Sequence, residues 1–409
     1  MATALVPPPM AGFASSARLT RLALESFRSY TAAELRPDPG LTIVAGPNGA
    51  GKTNLLEAIH TTVTGRSHRA AMDADLVRHG APYGRVRLEL DGGSAAGGGT
   101  VELLMPGAAP PPELRKRLTV NGVARRTSSL SELVRVVLFR PEEMLLLVGS
   151  PSERRRFLDV IVAQRDRRSA RDLVELSRIL AQRNALLRAI RAEEATLDAL
   201  VFWDEELATC GARVMRARLG VLRGLDARIG ALHDAVAASD EAPASVSLAY
   251  VDTLKDAWPH RAHPRERLPD ETELVGAIRR RITDVRQKEA WNGVSLVGPQ
   301  RDDLRVELAG RDVAAHASRG QQRTIILALK LAETDLLADD GPRPVVLLDD
   351  VFSELDPARS RRLSELLAGR GQVIVTTADP GSLGESHLRG VPVWTIADGD
   401  LLPPDGHPT

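Results

Sequence analysis

LTIVAGPNGAGKTNLLEAIHTTV, residues 41–63, decides the fold. Its opening residues are apolar or β-branched and stop at a glycine-rich turn, which predicts a short buried strand; the residues after Lys52 carry the apolar spacing of a helix. Between the two, Gly46–Thr53 satisfies G-x-x-x-x-G-K-[ST] in the strand-to-helix setting which that motif requires. The expected phosphate cradle is Gly46, Pro47, Asn48, Gly49, Ala50, Gly51, Lys52, Thr53 and Asn54. Glycines let backbone N–H groups converge on phosphate oxygens at a helix N-terminus, Lys52 reaches the outer phosphates, and the Thr53 hydroxyl coordinates magnesium.

A phosphate loop needs a partner that handles the metal and the attacking water. PVVLLDDVFSELD, residues 344–356, supplies it as an apolar strand that delivers two carboxylates to its end. Asp349 is expected to hold magnesium through water, and Asp350 to orient or deprotonate the attacking water, so the pattern is that of a hydrolase. A guanine-reading N-K-x-D element is missing, because none of the five lysines (Lys52, Lys116, Lys255, Lys288, Lys330) follows an asparagine.

Outward from these motifs, alternation at Val86, Leu88 and Leu90, at Val101 and Leu103, and at Val136 and Leu138, with the Asn121-Gly122 pair, predicts antiparallel sheet between about 84 and 140. From about 151 to 290 strand signals nearly vanish, while Leu173, Leu176, Leu180, Leu187 and Ile190 recur at helical spacing, interrupted by Arg183. Beyond 295 the strand–helix pattern returns with PVVLLDD and GQVIVTTAD. The expected architecture is α/β, with one domain built from both chain ends (18–150 and 291–409), an inserted helical domain (151–290), and a disordered tail at 1–17.

Composition sets the outer limits. The 409 residues are 43% hydrophobic and 26% charged, which excludes disordered and collagen-like chains. Acidic and basic residues balance at 54 each, so contact with a polyanion must come from local patches. The sharpest in sequence is 151–191, rich in arginine and containing Arg154-Arg155-Arg156; with Phe157 the single aromatic side chain in that stretch, duplex phosphates are favoured over stacked single strands. One cysteine, Cys210, fits a reducing compartment, and the cytoplasm is the expectation. His260 and His263 lie in a proline-containing loop and are read as solvated, not as a metal site. No run of eighteen apolar residues predicts a membrane span.

The segment HASRGQQRTIILALKLAE, 316–333, resembles the signature motif of the ABC-type ATPases. The resemblance implies that Ser318, Arg319, Gly320, Gln321 and Gln322 close over ATP held by a second copy, with Ser353, Glu354, Leu355 and Asp356 as the D-loop. Transporter subunits of that superfamily carry the signature much nearer the phosphate loop and have a switch histidine. Here about 270 residues intervene, and the switch region holds Thr376 and Thr377. This weighs against an energy-coupling transporter subunit, and a metabolic kinase would need no signature at all. A long insertion is the plan of the SMC-like branch, although about 140 residues is short for a coiled-coil arm.

Within that branch the chain resembles the RecF family from about 18 to 400, on LALESFRSY (22–30), GRSHR (65–69), FRPEEM (139–144), GSPSERRRFLD (149–159), LAQRNALL (180–187), GPQRDDL (298–304), the signature segment and LLDDVFSELD. Arg319 and Gln300 depart from the family pattern, standing where Gln and His are expected. The resemblance implies an ABC-type ATPase head with a mixed sheet, ATP and Mg2+ as cofactors, an ATP-dependent homodimer on duplex or gapped DNA, weak DNA-stimulated hydrolysis, and cooperation with RecR and RecO to promote RecA loading. It also raises Arg154, Arg155 and Arg156 as DNA contacts; Arg28 and Arg69, near nucleotide-binding elements in sequence, are expected to link DNA contact, with Arg69 among the contacts, to ATP use. Arg301-Asp302-Asp303 is a family marker that sequence alone does not explain.

Overall fold

The computed structural model describes residues 17–92, 98–237, 245–258, 267–383, 391–397 and 399–404. Residues 1–16 of the expected tail, the His260/His263 loop and residues 93–97 lie outside them. The chain divides into two compact units, one formed by Met1–Pro141 with Leu337–Thr409 and the other by Glu142–Leu336.

The first unit opens with β1 (Arg18–Phe27), β2 (Tyr30–Leu35), β3 (Leu41–Ala45), α1 (Lys52–Thr64), β4 (Tyr83–Asp91), β5 (Gly99–Pro106), β6 (Arg117–Val120), β7 (Val123–Ala124) and β8 (Val136–Phe139). The second unit follows with α2 (Leu145–Val148), α3 (Pro151–Arg165), α4 (Arg167–Arg191), α5 (Val201–Val236), β9 (Val246–Val251), α6 (Glu271–Asn292), β10 (Asp303–Leu308), β11 (Arg311–Asp312), α7 (Val313–His316) and α8 (Arg319–Ala338). The chain then returns to the first unit with β12 (Val345–Asp349), α9 (Pro357–Leu367), β13 (Val373–Thr377), β14 (Val393–Ala397) and β15 (Asp400–Leu402).

In the first unit the order β2-β1-β4-β5-β6-β7 makes an antiparallel sheet, and β15-β14-β3-β13-β12-β8 makes a mixed one in which only β15 runs antiparallel. Strands β12 and β13 are buried at every position because both faces of the mixed sheet are covered, whereas β4 alternates buried and accessible. Helix α1 joins the layers: Leu55, Leu56, Ile59 and Val63 share one core with Leu22, Leu24, Val86 and Leu88 of the first sheet and Val44, Leu347 and Ile374 of the second. The hairpin at Asn121-Gly122 forms as expected, with φ of 50° and 77° supplying the left-handed turn that two-residue hairpins need.

Three expectations about organisation change. Val136 and Leu138 belong not to the antiparallel sheet but to β8, parallel to β12; their alternation hid a strand buried on both faces. Strand β9 (VSLAYV, 246–251) was not anticipated in the helical region, although Val246 and Leu248 alternate; it pairs antiparallel with β10. The compact units also break at 141/142 and 336/337, so 142–150 and 291–336, assigned by sequence to the head, pack with the helices.

Side-chain pairing explains this last shift. Arg154 of α3 holds Asp303 with two parallel bonds of 2.7 and 2.8 Å, and Arg155 donates to the Asp302 carbonyl at 2.9 Å. Asp302, buried, accepts from the Tyr250 hydroxyl at 2.8 Å and the Thr253 amide at 3.1 Å. Arg218 of α5 clamps Asp159 at 2.7 and 2.9 Å and reaches the Pro299 carbonyl at 2.5 Å. The marker segments GSPSERRRFLD and GPQRDDL are therefore partners of each other, which accounts for Asp302 and Asp303. Arg183, the interruption in the α4 stripe, is fully buried and bonds Asp204, Glu289 and Ser295 at 2.6–2.9 Å.

Candidate nucleotide-binding site

The loop after β3 is shaped by its glycines. Gly49 and Gly51 take φ of 83° and 117°, and a Cβ on Gly51 would lie 2.9 Å from the Tyr30 hydroxyl oxygen. That hydroxyl, fully buried, donates to the Gly51 carbonyl at 3.0 Å, and burial raises its pKa. The SFRSY hairpin thus braces the loop from behind, while Pro47, Asn48 and Gly49 face outward. Gly51→Ala combines a left-handed backbone with a steric conflict. It should cost about 1–3 kcal/mol of stability and weaken ATP binding, read from thermal unfolding and nucleotide titration; wild-type behaviour on both would show that Tyr30 does not constrain the loop.

Lys52 is nearly buried, and its ammonium donates to the Gly46 and Pro47 carbonyls at 2.7 and 3.0 Å, which holds the charge over the loop. The Thr53 hydroxyl donates to Asp349 Oδ1 at 3.0 Å, bringing together two groups 296 residues apart in the chain. Thr376, on the neighbouring β13, also donates to Asp349 Oδ1, at 2.8 Å. A hydroxyl and one carboxylate side by side at a phosphate loop form the donor set magnesium uses when nucleotide phosphates and water complete its shell, so the residues fit the ion.

Asp350 differs from its neighbour. Its backbone sits at φ 51°, an uncommon position for a non-glycine residue, held there by an amide that donates to the Thr376 carbonyl at 3.0 Å. Its Oδ1 is buried and has no hydrogen-bond partner among the described residues. A buried carboxylate oxygen without a protein donor is costly unless a ligand or water supplies one. Asp350 is placed to receive such a donor beside the Asp349 carboxylate.

Beyond the acidic pair, the Ser353 hydroxyl donates to the Asp350 carbonyl at 2.7 Å. Asp356 caps α9 through the Ala358 and Arg359 amides, both at 3.0 Å, and the Arg359 amide leads the interactions that lower its pKa. The structure therefore gives Asp356 a local structural task. Glu354 and Leu355 follow on the same turn, with the Leu355 amide bonded to the Phe352 carbonyl.

At the other end of the motif, Asn54 bonds Ser29 at 3.0 Å and accepts from Arg69 at 3.2 Å. Glu57, fully buried one turn into α1, receives Arg28 at 2.8 and 2.9 Å and Ser67 at 2.5 Å, with Arg69 3.8 Å away. Arg28 and Arg69, expected near the nucleotide, are joined through Glu57, a residue the sequence reading passed over. A charged residue among the apolar positions of α1 was the available signal.

The signature segment belongs to the second unit. Ser318 and Gln321 form a reciprocal cap on α8: the Ser318 amide donates to Gln321 Oε1 at 2.9 Å, and the Gln321 amide to Ser318 Oγ at 3.3 Å. Ser318-x-x-Gln321 is legible in sequence as a capping box, a reading that was missed. Ser318 and Arg319 are exposed, Gly320 and Gln321 half-buried, and Gln322 is buried and donates to the Ala317 carbonyl at 3.2 Å. Of the arginines expected at DNA, Arg154 and Arg155 are engaged within the unit, their guanidinium groups bonding Asp303, Gly149 and Asp302, and only Arg156 of the run is exposed.

A phosphate loop whose threonine meets the first of two carboxylates across a mixed sheet, with a signature segment capping a separate helix, defines an ABC-type ATPase head. The model described as the RecF/RecN/SMC N terminal domain matches residues 18–389. The chain is 40% identical to the DNA replication and repair protein RecF of Frankia alni and 35% identical to that of Herpetosiphon aurantiacus, each match covering 94% of this chain and 99% of the relative. It belongs to the RecF family. Its structure matches that of the recombination mediator protein RecF with ATP in the RecFOR pathway, with a TM-score of 0.83 at 27% identity over 96% of this chain and 99% of that one. The Smc head domain of Pyrococcus furiosus shares the fold, with a TM-score of 0.53 at 19% identity over 95% of this chain and 96% of that one.

Among the described residues no helix is long and apolar enough to cross a membrane.

Proposed function

We propose that the chain is an ATP-dependent DNA-binding protein of recombinational repair and replication restart, acting as an ATP-induced homodimer on duplex and gapped DNA. Each composite site joins Lys52, Thr53, Asp349 and Asp350 of one copy to Ser318 and Gly320 of the other, with Arg319, Gln321 and Gln322 shaping the signature turn. The observation that carries the reading is the pairing of Thr53 with Asp349 at 3.0 Å beside the unpartnered Asp350 oxygen.

Lys52 and the loop amides hold the outer phosphates, Thr53 and Asp349 hold the metal, and Asp350 receives the proton of the attacking water. Magnesium, when bound, neutralises charge on the phosphate oxygens. Ser318 and Gly320 reach the outer phosphate from the partner copy, so closure gains contacts that exist only before hydrolysis. Slow, DNA-stimulated hydrolysis then acts as a release timer. Partners of this reading are RecR and RecO, which with this chain promote RecA loading at single-strand gaps, in the cytoplasm and at the nucleoid.

The test is the ATPase rate with and without gapped duplex, together with oligomeric mass in ATP and in ADP. DNA stimulation with a dimer in ATP only is expected; a monomer in both nucleotides, indifferent to DNA, would overturn the reading. Lys52→Arg keeps the positive charge but not the compact ammonium, so ATP binding should persist in part while hydrolysis and dimer turnover are lost. Normal turnover in that variant would remove Lys52 from the chemistry.

A further inference from the structure

With Arg154 and Arg155 consumed internally, the DNA contact needs another surface. One is assembled in the first unit from three segments that sequence keeps apart. The loop after α1 turns at Gly65, where the Lys116 ammonium donates to the Gly65 carbonyl at 3.1 Å and a Cβ on Gly65 would lie 2.6 Å from Thr127 Oγ1. Arg66 follows Gly65, Arg117 follows Lys116 at the start of β6, and Arg125 and Arg126 precede Thr127. The Arg125 amide bonds the Leu118 carbonyl at 2.9 Å, which fixes the two arms of the β6–β7 hairpin side by side at the sheet edge.

Arg66, Arg117, Arg125 and Arg126 are all exposed, and their guanidinium groups have no hydrogen bond or ion pair among the described residues. Asp73, beside them, is taken up by Lys116 at 2.7 Å. Four unpaired cations at one edge stand out in a chain whose other arginines are widely ion-paired, as Arg154, Arg183 and Arg218 are. Like charges so placed repel one another and are best relieved by a polyanion.

We propose that Arg66, Arg117, Arg125 and Arg126 form a phosphate-backbone docking surface for duplex DNA. The proposal rests on the DNA-binding reading above and gives it a location. Duplex backbone is the occupant because its phosphates are regularly spaced and densely charged, while exposed Val123 is the only large apolar group on the hairpin tip and no aromatic ring accompanies it. The surface is distinct from the ATP site, since the 13 residues of α1 separate Gly65 from Lys52 by about 20 Å. It is also connected to that site, because Ser67 and Arg69 of the same loop contact Glu57 and Asn54.

The experiment measures binding of a 30-base-pair duplex, with ATP, from 50 to 300 mM salt, for wild type and for the quadruple Arg→Gln variant. Four lost phosphate contacts should flatten the log–log salt slope by about 3.6 and weaken binding about a thousand-fold at 0.15 M. A quadruple Arg→Lys variant should bind nearly as wild type, because a backbone phosphate accepts either cation. ATP affinity and the thermal midpoint, expected unchanged, guard against misfolding. Wild-type binding with an unaltered slope in the Gln variant would overturn the location alone; no duplex binding by wild type would overturn the DNA reading itself. Loss of binding in the Lys variant as well would overturn the phosphate-backbone role.

Discussion

Asp350→Asn lowers ATP hydrolysis by about a hundred-fold or more while ATP binding stays within a few-fold of wild type. Asparagine keeps the shape of the side chain and an acceptor oxygen, so the left-handed backbone and the Thr376 contact persist. What it removes is the basicity of a buried oxygen that no donor among the described residues satisfies. Phosphate release under single-turnover conditions checks the first part, and fluorescent-nucleotide titration the second. If the proposed ATP-induced dimer is released by hydrolysis, sedimentation should find it long-lived in this variant, because that step is blocked. Asp349→Asn should differ, weakening magnesium dependence first, since Asp349 Oδ1 is where the Thr53 and Thr376 hydroxyls converge. Equal loss of binding in both variants would mean that the two carboxylates share one task.

Arg183→Met destabilises the second unit by about 3–5 kcal/mol. The guanidinium is fully buried and is the ion-pair partner of Glu289, also fully buried, at 2.6 Å, while it shares Asp204 with Arg286. Truncation leaves the Glu289 charge in a dry interior with, among the described residues, only the Leu296 amide to bond it, whereas Asp204 keeps Arg286. A second change, Arg183→Met with Glu289→Gln, removes the stranded charge and should recover at least half of the loss. Urea unfolding followed by circular dichroism reads both. A single-variant cost below about 1 kcal/mol, with no recovery in the double, would show that the pair adds nothing to folding.

Legibility in the sequence varied with how local each signal was. The phosphate loop, the acidic strand and the Asn121-Gly122 turn were readable because each is specified within a dozen residues by backbone sterics or charge. The Ser318–Gln321 cap was equally local and could have been read. The pairing of Arg154 was hidden for the opposite reason: a run of three arginines looks like a free basic patch until the chain returns 149 residues later with Asp303. The same holds for β9, whose partner β10 lies beyond α6. Glu57 gave a weak signal because its three partners come from two other segments.

By itself the sequence determined the class of chemistry: a glycine-shaped phosphate cradle, a lysine, a hydroxyl and two carboxylates are dictated by what phosphates and magnesium require, whatever surrounds them. Only the tertiary structure decided which charges are available. Ion pairing is a matter of distance in space, and burial sets whether a charge must be neutralised within the protein. That is why Arg154, Arg183 and Arg218 became structural, and why Arg66, Arg117, Arg125 and Arg126, scattered in the chain, gathered at one exposed edge.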